Sequence, residues 1–220
     1  MGEGRPGPGP DDLVIAGLTP MSTCDWPDHL VATVFLQGCP WRCTYCHNPS
    51  LLDPRAPGQV RWSQVIDLLA RRAGLLDGVV FSGGEPTRQV ALVPAMRAVR
   101  DAGFRVGLHT AGAYPRRLAE VLPLVDWIGL DIKATVERYP ALTGSTRAAR
   151  AAAASLDLAL ASGVPMQVRT TVDPTVLTAD DVQALIEELR AKGVGDHVLQ
   201  EVRSVGVRPG YAAALAVASA

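Results

Sequence analysis

The chain has 220 residues, 48% hydrophobic and 20% charged, the balance of a soluble globular protein with a sizeable core. A formal net charge of −1 leaves no broad field for nucleic acid or a membrane surface, so neither is expected as a partner. No run of about eighteen apolar residues spans a membrane and no basic-then-apolar leader opens the chain, which predicts a reducing, cytoplasmic setting with free thiols.

Residues 1–10 (MGEGRPGPGP) are glycine and proline with almost no apolar content; a disordered tail is expected over 1–12, ahead of one domain over 13–220. Leu13 to Leu18 suggest a short lead-in strand. Residues 31–37 (VATVFLQ) predict the first buried strand, and a cysteine-bearing loop follows over 38–49. After an irregular, proline-containing stretch at 50–60, Ser63 is placed to cap a helix over 64–73 that Gly74 closes. Residues 78–82 (GVVFS) predict a second strand running into Gly83-Gly84-Glu85, then a helix over 88–102 stopping at Gly103. A third strand, 104–109, ends at His109-Thr110; residues 115–122 are helical; a fourth strand, 126–132 (DWIGLDI), ends at Lys133. Thr146 opens an alanine-rich helix to about 161, ended by Gly163, and 165–172 (PMQVRTTV) predict a fifth strand. Thr178 with Asp181 reads as a capping box for a helix over 179–191, and 197–203 (HVLQEVR) as a sixth strand. The stretch from Tyr211 is small and apolar, without an evident partner.

Strand and helix alternate about six times, which argues for βαβ units and a parallel sheet. Eight repeats close a barrel and six fall short, so the count favours an open, curved α/β partial barrel. A doubly wound sheet would read much the same. In either fold, functional residues gather where strands end. The polar signals sit there: the cysteines after strand one, Gly83-Gly84-Glu85 after strand two, and His109 with Thr110 after strand three. Asp131 and Lys133 close strand four, Arg169 and Thr171 lie toward the end of strand five, and Gln200 and Glu201 lie on strand six.

The densest signal is GCPWRCTYCHNP at 38–49, with Cys39, Cys43 and Cys46 spaced C-x3-C-x2-C and no fourth cysteine following. Zinc would want four N/S ligands, and His47 beside Cys46 would make a strained chelate. A disulfide needs an oxidising compartment. Inert buried cysteines are rarely three within eight positions beside glycine and proline. Three thiolates do fill three corners of a cubane [4Fe-4S] cluster and leave one iron open. Cys24 lies outside this spacing and reads as a buried or partly exposed free thiol. Trp26, Trp41, Trp62 and Trp127 read as core or loop packing, and His29 and His197 as structural or surface residues.

The cysteine stretch resembles the signature of radical S-adenosylmethionine (SAM) enzymes, and His47-Asn48-Pro49 makes it resemble the glycyl-radical-enzyme activases among them. That resemblance covers about residues 13–203 and implies the partial (β/α)6 barrel. It implies that the open iron is chelated by the amino and carboxylate groups of SAM. Gly83, Gly84 and Glu85 would hold the methionine amino group, and a side chain added at Gly84 would push into that ligand. Tyr45 resembles the aromatic residue whose backbone meets the adenine, or it covers the cluster from water. Asp131-Ile132-Lys133 looks like the D-x-K stretch of the activases, with both charges on one strand face and facing the interior, or is a solvated ion pair at a strand end. Arg169 would pair with the SAM carboxylate or ribose, or with an acidic neighbour. His109 and Thr110 complete the cofactor-binding set. His109 stands where the pyruvate formate-lyase branch often has an acidic residue, and Ala111 where many activases have Asn.

The chemistry so implied is reductive cleavage of SAM and abstraction of hydrogen from a glycine Cα on a partner enzyme. The stretch 18–49, with L-x-P…S-x-x-D-W-P before the cysteines, resembles the short activating proteins of anaerobic ribonucleoside-triphosphate reductase. That reductase is the expected partner, with a flavodoxin or ferredoxin-type electron donor. The alternatives are a pyruvate formate-lyase-type activase, a radical SAM enzyme acting on a small molecule such as a deazapurine-forming synthase, and an iron–sulfur protein without SAM chemistry.

Overall fold

The computed structural model describes residues 7–218. Strands β-branched and apolar on both faces need cover on both sides, which a parallel sheet under a layer of helices supplies. Val31–Leu36 (β2) and Gly78–Gly83 (β3) are such strands, and Val31, Val34, Val79, Val80 and Phe81 are sealed from water. They are joined by Ile15–Ser22 (β1), Arg105–Thr110 (β4), Trp127–Asp131 (β5), Met166–Val172 (β6) and His197–Glu201 (β7). The seven strands lie in chain order in one sheet, with β1 antiparallel to β2 and β2 through β7 parallel.

That order separates the two folds the sequence leaves open. A doubly wound sheet reverses direction at a switch point, sending helices to both faces. Here every parallel crossover steps the same way, so right-handed connections put the helices on one face and the sheet curls around the other. The result is the expected partial (β/α)6 barrel, with edges at β1 and β7. Its helices are Trp62–Arg71 (α1), Leu92–Asp101 (α2), Pro115–Val121 (α3), Tyr139–Thr143 (α4), Ala148–Ser162 (α5), Ala179–Ala191 (α6) and Pro209–Ala218 (α7). Among the described residues no helix is long and apolar enough to cross a membrane.

Local differences from the sequence reading have physical causes. Residues 1–6 of the expected tail lie outside the described residues, while Pro10–Asp12 form a 3-10 turn in which Asp12 Oδ2 accepts from the Gly9 N–H at 2.8 Å. Helix α1 starts before Ser63, because Gln64 Oε1 accepts from the Arg61 N–H at 2.9 Å and makes Arg61 the cap. Helix α2 starts only at Leu92, since Gln89 is spent as a buried crosslink to the Val14 and Gln37 backbone. The capping box at Thr178 and Asp181 forms as read. Helices α4 and α7 are absent from that reading. The first is five residues long, too short for a period, and the second is small and apolar all round, without a polar face to contrast.

Residues 23–30 fold inward and floor the barrel. Trp26 stacks on Trp127 with ring centroids 5.6 Å apart and on His29 at 4.6 Å, and it forms a small interior cluster with Val31, Val80 and Trp127. Gly107 makes room for it, since a Cβ there would lie 2.8 Å from the Trp26 ring. Trp26→Ala is therefore expected to destabilise the apo-protein by about 3–5 kcal/mol, read from urea unfolding. A loss under about 1 kcal/mol would show that the floor is not a packed core.

Candidate active site

Above this floor, at the carboxyl ends of the strands, lies a cavity of about 430 Å³. Cys39, Cys43 and Cys46 line it, as do Tyr45, Gly83, Gly84, His109, Thr110, Asp131, Lys133 and Arg169. Residues read from separate strand ends thus meet in one place.

The cysteine loop has little regular structure, and neighbouring elements hold its backbone. The Gly38 and Cys39 N–H groups donate to the Leu51 and Leu52 carbonyls at 2.8 and 3.3 Å. The Arg42 and Thr44 N–H groups donate to Thr143 and Leu142 at the end of α4, both at 2.9 Å. Trp41 packs edge-on against Tyr139 of α4, with centroids 6.0 Å apart. Burial pushes the Cys39 thiol up to about 12, and raises that of Cys43 against the pull of Lys133. Such sulfurs keep their protons until a metal displaces them. Among the described residues, no three His, Cys, Asp or Glu side chains converge on one point as a single ion requires. Three thiols lining a common cavity fit a cluster, where each sulfur takes a different iron.

Opposite the cysteines stands a charged network. Asp131 Oδ1 accepts from Arg169 Nε at 3.0 Å and Nη2 lies 2.9 Å away, while Lys133 Nζ is 3.5 Å from Oδ2. Lys133 Nζ also donates to the Tyr45 hydroxyl at 3.3 Å and lies 5.5 Å from that ring's centroid. Burial pushes the Tyr45 phenol up to about 12, so it remains a neutral acceptor. Burial opposes the charge on Lys133, but Tyr45, Cys43 and Asp131 around it outweigh that and raise its pKa. Burial alone would push the Asp131 carboxyl up; Arg169 and Lys133 hold it below the usual carboxylate range. Asp131 and Arg169 face each other in the β5–β6 register, so this pairing is built into the sheet.

His109 completes the network. Its Nε2 lies 2.6 Å from the Asp25 carbonyl and 3.2 Å from Arg169 Nη1. The short contact to an acceptor assigns the proton to Nε2, leaving Nδ1 to accept from the Ser82 hydroxyl at 3.3 Å. Burial and the Arg169 charge bring the imidazole down to about 4, so it is neutral at pH 7. Gly129, between His109 and Arg169, has a function the sequence did not signal: its missing Cβ would sit 2.8 Å from the His109 ring and 2.9 Å from the Arg169 guanidinium.

Two expectations change. Glu85 does not line the cavity but stands behind its wall, fully buried. Its carboxylate is taken up by the Thr87 and Thr110 hydroxyls at 2.6 and 2.7 Å and by the Thr87 and Ala111 N–H groups at 3.1 and 2.9 Å. It ties the β3 loop to the end of β4 and has no free oxygen for a ligand. A side chain at Gly84 would meet protein first, since its Cβ would lie 2.5 Å from the Gly38 carbonyl oxygen. Gly83, at φ +111°, would place a Cβ 2.3 Å from the Leu36 nitrogen. Gly83 thus lets the end of β3 close on the end of β2, and Gly84 lets the turn after β3 touch the cysteine loop. Cys24, set aside in the sequence, is exposed and also lines the cavity, with Sγ 3.4 Å from Ser22 Oγ. Asp173, fully buried and bonded to Thr44, Thr175 and Tyr211, escaped the sequence reading because no motif contains it.

A family model described as Radical SAM superfamily matches residues 33–189. A protein of Methanocaldococcus jannaschii, named as a candidate glycyl-radical enzyme activating enzyme, is 27% identical over 186 residues, covering 80% of this chain and 75% of that one. The pyruvate formate-lyase-activating enzyme of Clostridium pasteurianum is 31% identical over 136 residues, 59% of this chain and 57% of its own length. The solved structure of anSMEcpe with bound AdoMet superposes with a TM-score of 0.57 at 19% identity, over 76% of this chain and 49% of that one. The chain therefore spans about half the length of two of these relatives, and the solved structure shares its fold.

Neutral buried His109 has a consequence for acid stability. Its folded value of about 4 lies below the unfolded one of 6.5, so the unfolded chain binds a proton that the folded chain refuses. Stability is complete above pH 6.5 and falls as the pH drops toward 4, by about 2–3 kcal/mol. A further loss follows below 3.8 as Asp131 protonates. Urea midpoints of the apo-protein measured across this range should show the first slope in the wild type, and His109→Gln should flatten it. An unchanged slope in the variant would assign the effect to another group.

Proposed function

The chain belongs to the radical SAM superfamily, and from that premise we propose that it is an activase that generates a glycyl radical on a partner enzyme. The observation that carries the proposal is the meeting of three cysteines, the Gly83-Gly84 turn and the Asp131–Lys133–Arg169 network in one cavity. When bound, the [4Fe-4S] cluster supplies a strongly reducing electron, and SAM the precursor of a carbon radical.

The residues of this chain have separate duties. Cys39, Cys43 and Cys46 would each hold one iron. Lys133 and Arg169 present fixed positive charge to a carboxylate, and Asp131 offers its half-exposed face to a cation or hydroxyl. Tyr45 and Trp41, both buried, keep water from the cysteine sulfurs. Neutral His109 packs beside Arg169 without adding charge of its own. Thr110 and Glu85 hold the loop behind the glycine pair.

Within this reading we assign the partner as anaerobic ribonucleoside-triphosphate reductase and the electron donor as a flavodoxin or ferredoxin-type protein. Support for that partner comes from the stretch ahead of the cysteines. Its Asp25-Trp26 pair floors the cavity, with Asp25 accepting from Thr33 through its side chain at 2.6 Å and from His109 through its carbonyl. Pyruvate formate-lyase is the other partner that a relative's name suggests.

Anaerobically reconstituted protein should hold about four irons and four sulfides. Alanine at Cys39, Cys43 or Cys46 should abolish the cluster, and Cys24→Ala should leave it intact. Lys133→Ala should lower SAM turnover about 10–1000-fold, the loss of one charged contact in a dry site. Mixed with SAM and the organism's anaerobic reductase, the reduced protein should produce a glycyl doublet in the EPR spectrum. A doublet on pyruvate formate-lyase instead would reassign the partner. SAM cleavage with no doublet on any glycyl-radical enzyme of the organism would replace the activase by a small-molecule enzyme.

A further inference from the structure

Residues 203–211, between β7 and the body of α7, touch the far half of the cysteine loop at several points. His47 Nε2 lies 3.1 Å from the Arg203 carbonyl and 3.2 Å from its N–H. Gly206, at φ +87°, passes so close that a Cβ would sit 2.7 Å from the His47 carbonyl oxygen. Arg208 Nη2 donates to the Cys43 carbonyl at 2.8 Å. Tyr211 donates its hydroxyl to Asp173 Oδ1 at 2.8 Å, and the other oxygen of that carboxylate accepts from the Thr44 hydroxyl. Asp173 also takes the Thr175 N–H and hydroxyl, at 2.9 and 2.6 Å.

The two halves of the loop are therefore held differently. The Gly38–Thr44 half hangs on the Leu51-Leu52 turn, Glu85 and α4. Beyond it, the Cys46 N–H bonds only within the loop, to the Cys43 carbonyl at 3.3 Å. Outside support for the Cys43 carbonyl and for His47 comes from 203–211, while Thr44 is shared between α4 and the buried carboxylate of Asp173 and the Tyr45 hydroxyl is met by Lys133.

We infer that residues 203–211 are a latch that positions Cys43 and Cys46 and sets the electrostatics of the cluster, with Arg208 and Asp173 as positioning residues. The inference rests on the cluster reading above and is independent of the partner. Arg208 spreads positive charge over the carbonyl of a ligating cysteine. Reduction adds negative charge to the cluster, so this guanidinium favours the reduced form and raises the potential. The Tyr211–Asp173–Thr44 chain carries no net charge change on losing one hydroxyl, so its contribution is retention of the loop.

Potential and retention are separable in the full-length reconstituted protein without SAM. EPR-monitored titration of Arg208→Ala should show the reduction equilibrium shifted about tenfold toward the oxidised cluster, about 59 mV for one electron. Arg208→Lys should recover most of the shift. Tyr211→Phe should keep the wild-type potential but release iron to a chelator several-fold faster, with an unchanged far-UV melting curve of the apo-protein. Arg208→Ala with the wild-type potential, or Tyr211→Phe with wild-type iron release, would overturn the latch. A wild-type protein that takes up no cluster would instead overturn the cluster reading on which it rests.

Discussion

The cysteine loop is the constraint to which the rest of the molecule answers. A loop carrying three thiols in a defined relation has no helix or sheet to satisfy its own backbone, yet it lies against the core, where unpaired polar groups are costly. Its backbone groups therefore lean largely on other elements: Leu51 and Leu52 on one side, the carboxyl end of α4 on another, and the Glu85 N–H donating to the Gly38 carbonyl at 3.0 Å. The short helix α4 and the turn at 50–52 make sense as fixtures for this loop rather than as elements in their own right. Glycine at 84 follows from the same need, since a Cβ there would meet the Gly38 carbonyl, while glycine at 83 lets the end of β3 close on β2.

The second organising feature is a carboxylate shared by two cations inside the barrel, which leaves one positive charge in excess. A lone carboxylate at such depth would gain a proton, and a lone ammonium would lose one. Asp131 avoids this by sharing its oxygens between Lys133 and Arg169, and Lys133 by facing both Asp131 and the Tyr45 hydroxyl. The network is pre-formed, so a ligand meets groups already oriented and need not order them. Its geometry is sheet geometry. Asp131 pairs in register with Arg169, while Gly129, two residues earlier on the same face, leaves the space in which the His109 ring and the Arg169 guanidinium approach.

Floor and latch close the arrangement from below and from the side. Trp26 fills the bottom of the barrel against Trp127, and the Asp25 carbonyl beside it fixes which nitrogen of His109 carries the proton. At the other side, Asp173 gathers the cysteine loop, the end of β6 and helix α7 onto one carboxylate. The latch is built from a segment that carries few signals in the linear sequence, and the D-W-P stretch of the floor signals a resemblance but no packing role, so both roles emerge only once the chain is folded.

The sequence by itself determined the alternation of strand and helix, the capping box of α6, the three cysteines and the strand ends that supply the cavity, because each depends on a local period, a local cap or a short spacing. Even Asp131 and Lys133 on one face follow from the two-residue period of a strand. Only the tertiary structure decided that the sheet winds one way around a cavity, since that is a matter of strand order and not of any strand's composition. It also decided that Glu85 faces the protein instead of the cavity, that Gly84 yields to the Gly38 carbonyl, and that Asp173, Gly129 and helix α7 serve the site. In each of these the partner lies tens of residues away, and a side chain's role is set by which distant atom occupies the space beside it.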